Sequence, residues 1–406
     1  MDDGGRPDVL IVGGGPAGMM AGLLFARAGV STLVLEKHGD FFRDFRGDTV
    51  HPSTMEILHQ LGLLERFLQR PHDRLSSAGI RIAGRDWVIG DLAHLATPAP
   101  FIAMMPQWEF LDFLRDEASR FQSFSLEMES PVVDFIMEGD RVAGVRLADG
   151  SERHASRLVI AADGRSSLVR ALQLLPVETL GAPMDVIWLR LPKSSASGGV
   201  LRGSFEAGRL VVLIDRRDYW QCAFVVGKGQ ADDVRRMGAG WVVARIAEAF
   251  PDLSFPGTET LEADDLHVLN VALDRLTVWH RPGLLAIGDA AHAMSPIGGI
   301  GINLAIQDAV AAANILAGPL ARGGSIDALL PRVRTRRLLP TRVIQAGQKL
   351  AQDRLIAPLL EKGAEPVARA PFLVHALDRI PLLRRIPGRI IGLGIRREHV
   401  RSPAKL

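Results

Sequence analysis

An α/β fold is predicted: a Rossmann-like dinucleotide-binding domain, an inserted and mostly antiparallel β-sheet domain, and a helical C-terminal region. Three observations predict it. Two short apolar runs, at residues 9–12 and 283–287, each lead into a Gly-rich turn and a helix, as buried parallel strands do. Between about 176 and 265 the strand-like runs alternate instead, as half-buried antiparallel strands do. From 302 to 362 the pattern is helical.

The elements follow in order. Residues 9–12 form a strand, Gly13-Gly14-Gly15-Pro16-Ala17-Gly18 a turn, and a helix follows with Ala17, Ala21, Leu24 and Ala28 on one face, closed by Gly29. Residues 31–36 make the next strand and complete a βαβ unit. In Gly13-x-Gly15-x-x-Gly18, Gly13 permits the tight turn and Gly15 lets the backbone approach a pyrophosphate. Gly18 lets helix and strand pack closely. The helix N-terminus offers free N–H groups and a positive dipole to phosphates. Glu36, with Lys37 beside it, ends the second strand near where a ribose-binding acid belongs.

Ser53-Thr54-Met55-Glu56 reads as a capping box opening a helix. Residues 107–121 read as an amphipathic helix. Residues 132–160 read as a meander with turns at Glu138-Gly139-Asp140 and Asp149-Gly150, its last strand at 157–161. Alternating strands at 185–191, 210–214 and 219–226 precede a helix at 240–250. Pro340 is expected to interrupt the helical stretch that follows.

The second Gly-rich segment is Gly288-Asp289-Ala290-Ala291-His292, followed by Pro296, Gly298, Gly299, Gly301, Ile302 and Asn303. Gly288 and Asp289 sit at the C-terminal end of a strand, where parallel sheets bind ligands. Asp289 can accept hydrogen bonds from a sugar or ribityl hydroxyl. The amides from Pro296 to Asn303 could hold negative charge at the pyrimidine end of a reduced flavin. A dinucleotide has two ends, and two such turns suggest FAD held along its length. A Rossmann-like FAD-binding domain is therefore expected.

Composition bounds the rest. The 406 residues are too many for one ordinary core. Lys+Arg of 48 against Asp+Glu of 46 gives a net charge of +2, with no field suited to nucleic acid. The single cysteine, Cys222, rules out an internal disulfide and a cysteine-based metal site. No metal is expected. The N-terminus opens with Asp2 and Asp3 and a Gly break splits its apolar stretch, unlike a signal peptide, and cytoplasm is the expected compartment.

Asp163-Gly164-Arg165-Ser166-Ser167-Leu168-Val169-Arg170 supplies a third motif. With the first two, in this order and spacing, it resembles the flavin-dependent aromatic hydroxylases of the p-hydroxybenzoate hydroxylase fold, the class A FAD-dependent monooxygenases. Asp163, Gly164, Ser167 and Arg170 match the family pattern D-G-x-x-S-x-x-R. The resemblance implies that this segment serves FAD and NAD(P)H binding, that Arg46 lies along the FAD phosphates, and that Gln107 lies near the ribityl chain. Arg43 is a looser match for nicotinamide cofactor binding. Pro296 is placed near the reactive edge of the flavin, and His292 at the cofactor rim. The implied chemistry is reduction of FAD by NAD(P)H, a transient co-substrate, then addition of O2 to give a flavin hydroperoxide that an electron-rich ring attacks.

Substrate-side candidates are Trp188, Arg190, Arg216, Tyr219 and Gln221, with Met105 nearby. Pro296 and Tyr219, the only tyrosine, stand as the catalytic candidates. Few polar groups among many apolar ones suit a bulky aromatic, phenolic or polycyclic small molecule. A halogenase, a reductase or dehydrogenase of an apolar substrate, and a non-catalytic NAD(P)H-sensing module are the alternatives. The Trp-x-Trp-x-Ile-Pro signature of the halogenases is missing. The expected domains are 1–75, 104–175 and 266–345 for FAD, 76–103 and 176–265 for substrate, and 346–406 as the C-terminal region. The apolar and basic tail from Phe372 to Arg401 suits either a membrane surface or, more simply, packing on the FAD domain. A monomer or homodimer is expected.

Overall fold

Five parallel strands run through the core of the computed structural model, which describes residues 5–42, 48–82, 85–193, 201–206, 209–216, 218–361 and 372–405. Their order is Leu284–Ala286, Leu158–Ala161, Val9–Val12, Thr32–Leu35 and Phe124–Glu127. A sixth strand, His280–Arg281, pairs antiparallel at one edge. Val9 registers with Thr32 on one side and Leu158 on the other. The first, second and Leu158–Ala161 strands are buried at every position, which is why their sequences do not alternate. Helices Pro16–Arg27 and Gly301–Ala321 pack together over this sheet.

Leu158–Ala161 corrects one expectation. It is not the last strand of the meander but a central strand of the parallel sheet. The meander is Val132–Glu138, Arg141–Leu147 and Glu152–His154. The run Leu-Val-Ile-Ala has no polar face to give to an exposed ribbon. A second correction concerns Ser53 to Glu56, which form no capping box. Helix Pro52–Gln60 starts earlier, with His51 as its N-cap, because Pro52 is already set for the first helical position. Thr54 Oγ1 donates instead to Asn303 Oδ1 at 2.8 Å. A third concerns Pro340. Helix Leu330–Ala351 runs through it, and the break falls earlier, near Gly323 at φ +70°. The flank Arg337, Pro340, Thr341 and Ile344 is buried, so packing holds the helix across the missing amide.

The second large sheet has seven strands: His267–Leu269, Met184–Pro192, Tyr219–Gly227, Arg209–Asp215, Leu201–Glu206, Ser77–Ile82 and Arg85–Asp91. All its pairings are antiparallel except that of Ser204 and Phe205 with Arg81 and Ile82. One face buries Ile187, Leu189, Val211, Leu213, Cys222 and Phe224 under helices Ala231–Met237 and Ala239–Ala249. Cys222 is fully enclosed there, and burial pushes its thiol well above the usual range. The opposite face carries Val186, Trp188, Val212, Ile214, Ala223 and Val225, a continuous apolar surface.

Candidate functional site

The first turn is shaped by what its glycines lack. Gly13 has φ +104°, and a Cβ there would meet Ala162 O at 2.5 Å. A Cβ on Gly18 would lie 1.9 Å from Gly13 O. Gly15 differs: nothing lies within 4 Å of where its Cβ would be, and no side chain caps the helix that starts at Pro16. The helix N-terminus thus faces open space, the cradle a pyrophosphate requires. Glu36 accepts from Gly14 N at 2.8 Å and from His38 N at 3.2 Å, so the expected ribose acid also braces the turn. Lys37 is exposed just beyond it.

The second turn sits directly on the first. A Cβ on Gly288, at φ +61°, would come within 3.0 Å of the Ala17 Cβ. Segments some 270 residues apart in the chain therefore form one continuous surface. Asp289 accepts from Arg165 Nε at 3.3 Å. Arg170 pairs with Asp274 at 2.5 Å and donates to the carbonyls of Asp289 at 2.9 Å and Ala290 at 3.1 Å. Asp163 accepts from Ser167 Oγ at 2.5 Å and Leu168 N at 2.7 Å. Desolvation outweighs these bonds and raises its carboxyl above the ordinary range. In the middle motif, then, Asp163 closes its own turn, Arg170 clamps the backbone of the second motif, and Gly164, at φ +82°, allows the bend between.

Beneath lies a buried ionic chain that sequence reasoning missed. Asp308 Oδ2 accepts from His292 Nε2 at 2.5 Å and from Gly288 N at 3.1 Å. Its Oδ1 accepts from Arg337 Nε at 2.8 Å, and Arg337 Nη1 reaches Glu398 Oε1 at 3.1 Å. Desolvation would raise the Asp308 carboxyl, but His292 and Arg337 win and hold it below the usual range. His292, packed on Trp279 with ring centroids 5.1 Å apart, is thus a structural member of the second turn.

Pro296, Gly299, Gly301, Ile302 and Asn303 form the entrance to helix Gly301–Ala321. Asn303 is buried and fully used by protein: Oδ1 accepts from His51 N and Thr54 Oγ1, and Nδ2 donates to Thr49 O at 3.2 Å. A Cβ on Gly299 would meet Thr49 Oγ1 at 2.5 Å. Gln107 opens helix Gln107–Ala118, and its N–H donates to Asp48 Oδ1 at 3.3 Å. Asp48 also pairs with Arg216, whose Nε donates to Gln221 Oε1 at 2.9 Å. Desolvation raises the Asp48 carboxyl despite Arg216. Asp48 thereby ties the start of helix Gln107–Ala118 to Arg216 and, through it, to Gln221 of the seven-stranded sheet. Arg43 and Arg46 lie outside the described residues.

Tyr219 is half-buried at the start of its strand, opposite Pro192, with the Arg190 guanidinium 4.8 Å from its ring centroid. The Pro296 segment meets the same sheet through Ile297, in the cluster that holds Ala223 and Val225. Those residues are four and six positions along the strand from Tyr219, or roughly 13–20 Å at the strand rise. Pro296 and Tyr219 therefore mark opposite ends of one apolar face.

The description "FAD binding domain" is that of the family model that matches residues 6–346. A 6-methylpretetramide 4-monooxygenase of Streptomyces rimosus is 32% identical over 390 residues, 93% of each chain. A rifampicin monooxygenase of Rhodococcus hoagii is 27% identical, covering 96% of this chain and 79% of its own. Among solved structures, an anhydrotetracycline hydroxylase from Streptomyces rimosus superposes with a TM-score of 0.72 at 23% identity, over 97% of this chain and 77% of that one. A flavin-dependent brominase superposes with a TM-score of 0.76 at 17% identity, over 96% and 94%, a likeness of fold alone. Two glycine turns joined at Ala17 and Gly288, a cradle open at Gly15, and these relatives agree: the chain belongs to the FAD-dependent aromatic monooxygenases of the p-hydroxybenzoate hydroxylase fold.

Proposed function

We propose that this FAD-dependent monooxygenase hydroxylates a polycyclic, phenol-bearing small molecule held against the apolar face of the seven-stranded sheet, with NAD(P)H as electron donor. The observation that carries the reading is the contact between Ile297, next to Pro296, and the cluster of Val186, Ala223 and Val225. It joins the cofactor-side segment to the apolar sheet face. The names of the relatives, a 6-methylpretetramide and a rifampicin monooxygenase, support a polycyclic or phenolic substrate.

Bound FAD supplies the redox chemistry with NAD(P)H and O2. The chain supplies placement. Gly13, Gly15, Pro16, Ala17 and Gly18 would hold the pyrophosphate, Glu36 and Lys37 the adenosine end, and Gly288 and Asp289 the ribityl chain. Gln107 and, by resemblance, Arg46 and Gly164 would line the remainder. Pro296, Gly299, Gly301, Ile302 and the backbone of Asn303 would flank the ring. Arg216 and Gln221 would orient a polar substituent of the substrate, and Trp188 would exclude water from the ring system, whereas Met105 is buried in the core under the parallel sheet.

The chain is proposed to work in the cytoplasm as a monomer or homodimer. Helix Ile297–Ala321 is apolar enough to cross a membrane by composition, but 78% of that window is buried inside the protein, so we read it as a core helix. The tail is seated on the protein through Gly388 against Asp91 and Gly392 against Leu95. The test is NAD(P)H oxidation across a panel of phenols, quinones and polyketides, under labelled O2, with product masses. A product carrying one labelled oxygen is expected. Consumption that yields only peroxide with every compound, or halide incorporation in place of oxygen, would overturn the reading.

A further inference from the structure

A row of three buried glutamines holds the backbone on both sides of Pro296. Gln345, Gln348 and Gln352 lie on one face of the helix Leu330–Ala351 and the π-helical turn Gln352–Ile356 that continues it. All three are at most 5% exposed. Gln345 Nε2 donates to Asp274 O at 2.8 Å and Ala293 O at 3.1 Å. Gln348 accepts from Ser295 N at 3.2 Å and donates to Ser295 O at 3.0 Å and Ile297 O at 3.1 Å. That is the pattern of a neighbouring β-strand, supplied by one carboxamide. Gln352 Nε2 donates to Ser295 Oγ at 2.9 Å, and the same oxygen accepts from Ile297 N at 3.4 Å. The Pro296 carbonyl is taken by Gly299 N at 3.1 Å.

The π-turn gives this row a second function. Its extra residue per turn re-aims the helix that follows, and such turns are concentrated at functional sites. Ile356 at its end, with Leu359 and Leu360 just beyond, packs in the same cluster as Ile297, Val186, Ala223 and Val225. One helix therefore grips the Pro296 backbone with carboxamides and touches the apolar sheet face with aliphatic side chains, within fifteen residues.

We propose that Gln348 and Gln352 are positioning residues that set the Pro296 segment in register with the apolar sheet face, so that an aromatic guest on that face alters the backbone beside the flavin ring. The idea rests on the proposed function, because it needs the sheet face to be the substrate surface. Both glutamines are buried, and each acts through residues 295–297.

The test compares the parent holoenzyme with Gln348→Met and Gln352→Met, which keep side-chain length and lose the amide. Two readouts are taken. One is hydrogen exchange of residues 293–299 in the FAD-loaded protein, which needs no turnover. The other is anaerobic flavin reduction by NAD(P)H, with and without the compound the parent hydroxylates. Exchange in this segment should rise by at least about tenfold in Gln348→Met. Acceleration of reduction by the substrate, about tenfold or more in the parent, should drop to about twofold, with KM for that compound changed by less than about threefold. Unchanged exchange and unchanged acceleration in FAD-loaded Gln348→Met overturn the proposal. Should Gln348→Met fail to retain FAD, Leu360→Ala, on the far side of the π-turn, reads the same coupling, and full acceleration there also overturns it. A parent enzyme that oxygenates nothing defeats the functional reading instead, and the exchange measurement still decides whether the glutamines hold the segment.

Discussion

The two glycine turns, proposed to hold opposite ends of FAD, are built by different means. The first, Gly13 to Gly18, is made almost entirely from its own backbone: glycine sterics, a helix start at Pro16, and one carboxylate from Glu36. The second, from Gly288 to Asn303, is held from outside. Arg170 clamps its carbonyls, Asp308 and Arg337 neutralise each other beneath it, and Gln345 and Gln348 bond its later strand. A phosphate cradle needs only free amides at fixed spacing. The second turn, proposed to face the flavin ring, takes its supports from several elements that other parts of the molecule can influence.

The sharpest way to break this comparison is at Gly15. Its backbone is extended at φ −71°, and a Cβ there meets no described protein atom within 4 Å. Gly15→Val should abolish bound FAD while the apoprotein keeps its stability within about 1 kcal/mol, read by flavin absorbance and by thermal melting of both apoproteins. A yellow Gly15→Val protein would remove the first turn from the cofactor site. Gly18→Ala should instead damage the fold itself, since its Cβ would sit 1.9 Å from Gly13 O.

The next effect belongs to the second turn. Asp308→Asn removes the charge between His292 and Arg337, both almost fully buried. Leaving Arg337 with only Glu398 should cost about 3–5 kcal/mol in denaturant unfolding. Stability unchanged within error would mean the ionic chain is not what supports the turn.

His51 sharpens the contrast by pH. It joins the turn through its N–H to Asn303 and the tail through Nδ1–H to Ile391 O at 2.8 Å. Burial pushes its pKa down to about 4, against the unfolded value of 6.5. The unfolded chain therefore takes up this proton first, and the neutral folded ring contributes stability that is complete above pH 6.5 and lost as pH falls toward 4. The loss is about 3 kcal/mol across that window, and His51→Gln should flatten it in melts run from pH 7 to 4. An unaltered pH slope in that variant would place the proton uptake elsewhere.

What was legible in the sequence was what is local. Strand 9–12, the glycine spacing and the helix after it involve contacts a few residues apart, so their residues announce their geometry. Asp308, Arg337 and Gln348 look, in sequence, like ordinary polar positions on helices. Their meaning comes from which distant backbone they meet, and no periodicity reports that. The misread capping box has the same origin: Ser53 and Thr54 suit a cap, but Pro52 and the pull of Asn303 on His51 N moved the helix start. The run at 158–161 lies beside the meander in sequence, whereas parallel pairing joins it to strands far away.

The tie between Arg337 and Glu398 carries a consequence for biosynthesis. Arg337 shares its charge with Asp308 on one side and Glu398 on the other, and Asp308 in turn receives the N–H of Gly288. During translation the first turn can close once its strand and helix have emerged. The second has no complete counter-ion set until residue 398 has left the ribosome. The ionic set beneath the second turn is therefore complete only after residue 398 has emerged, and a ribosome stalled before that point would display the first turn without a finished second one.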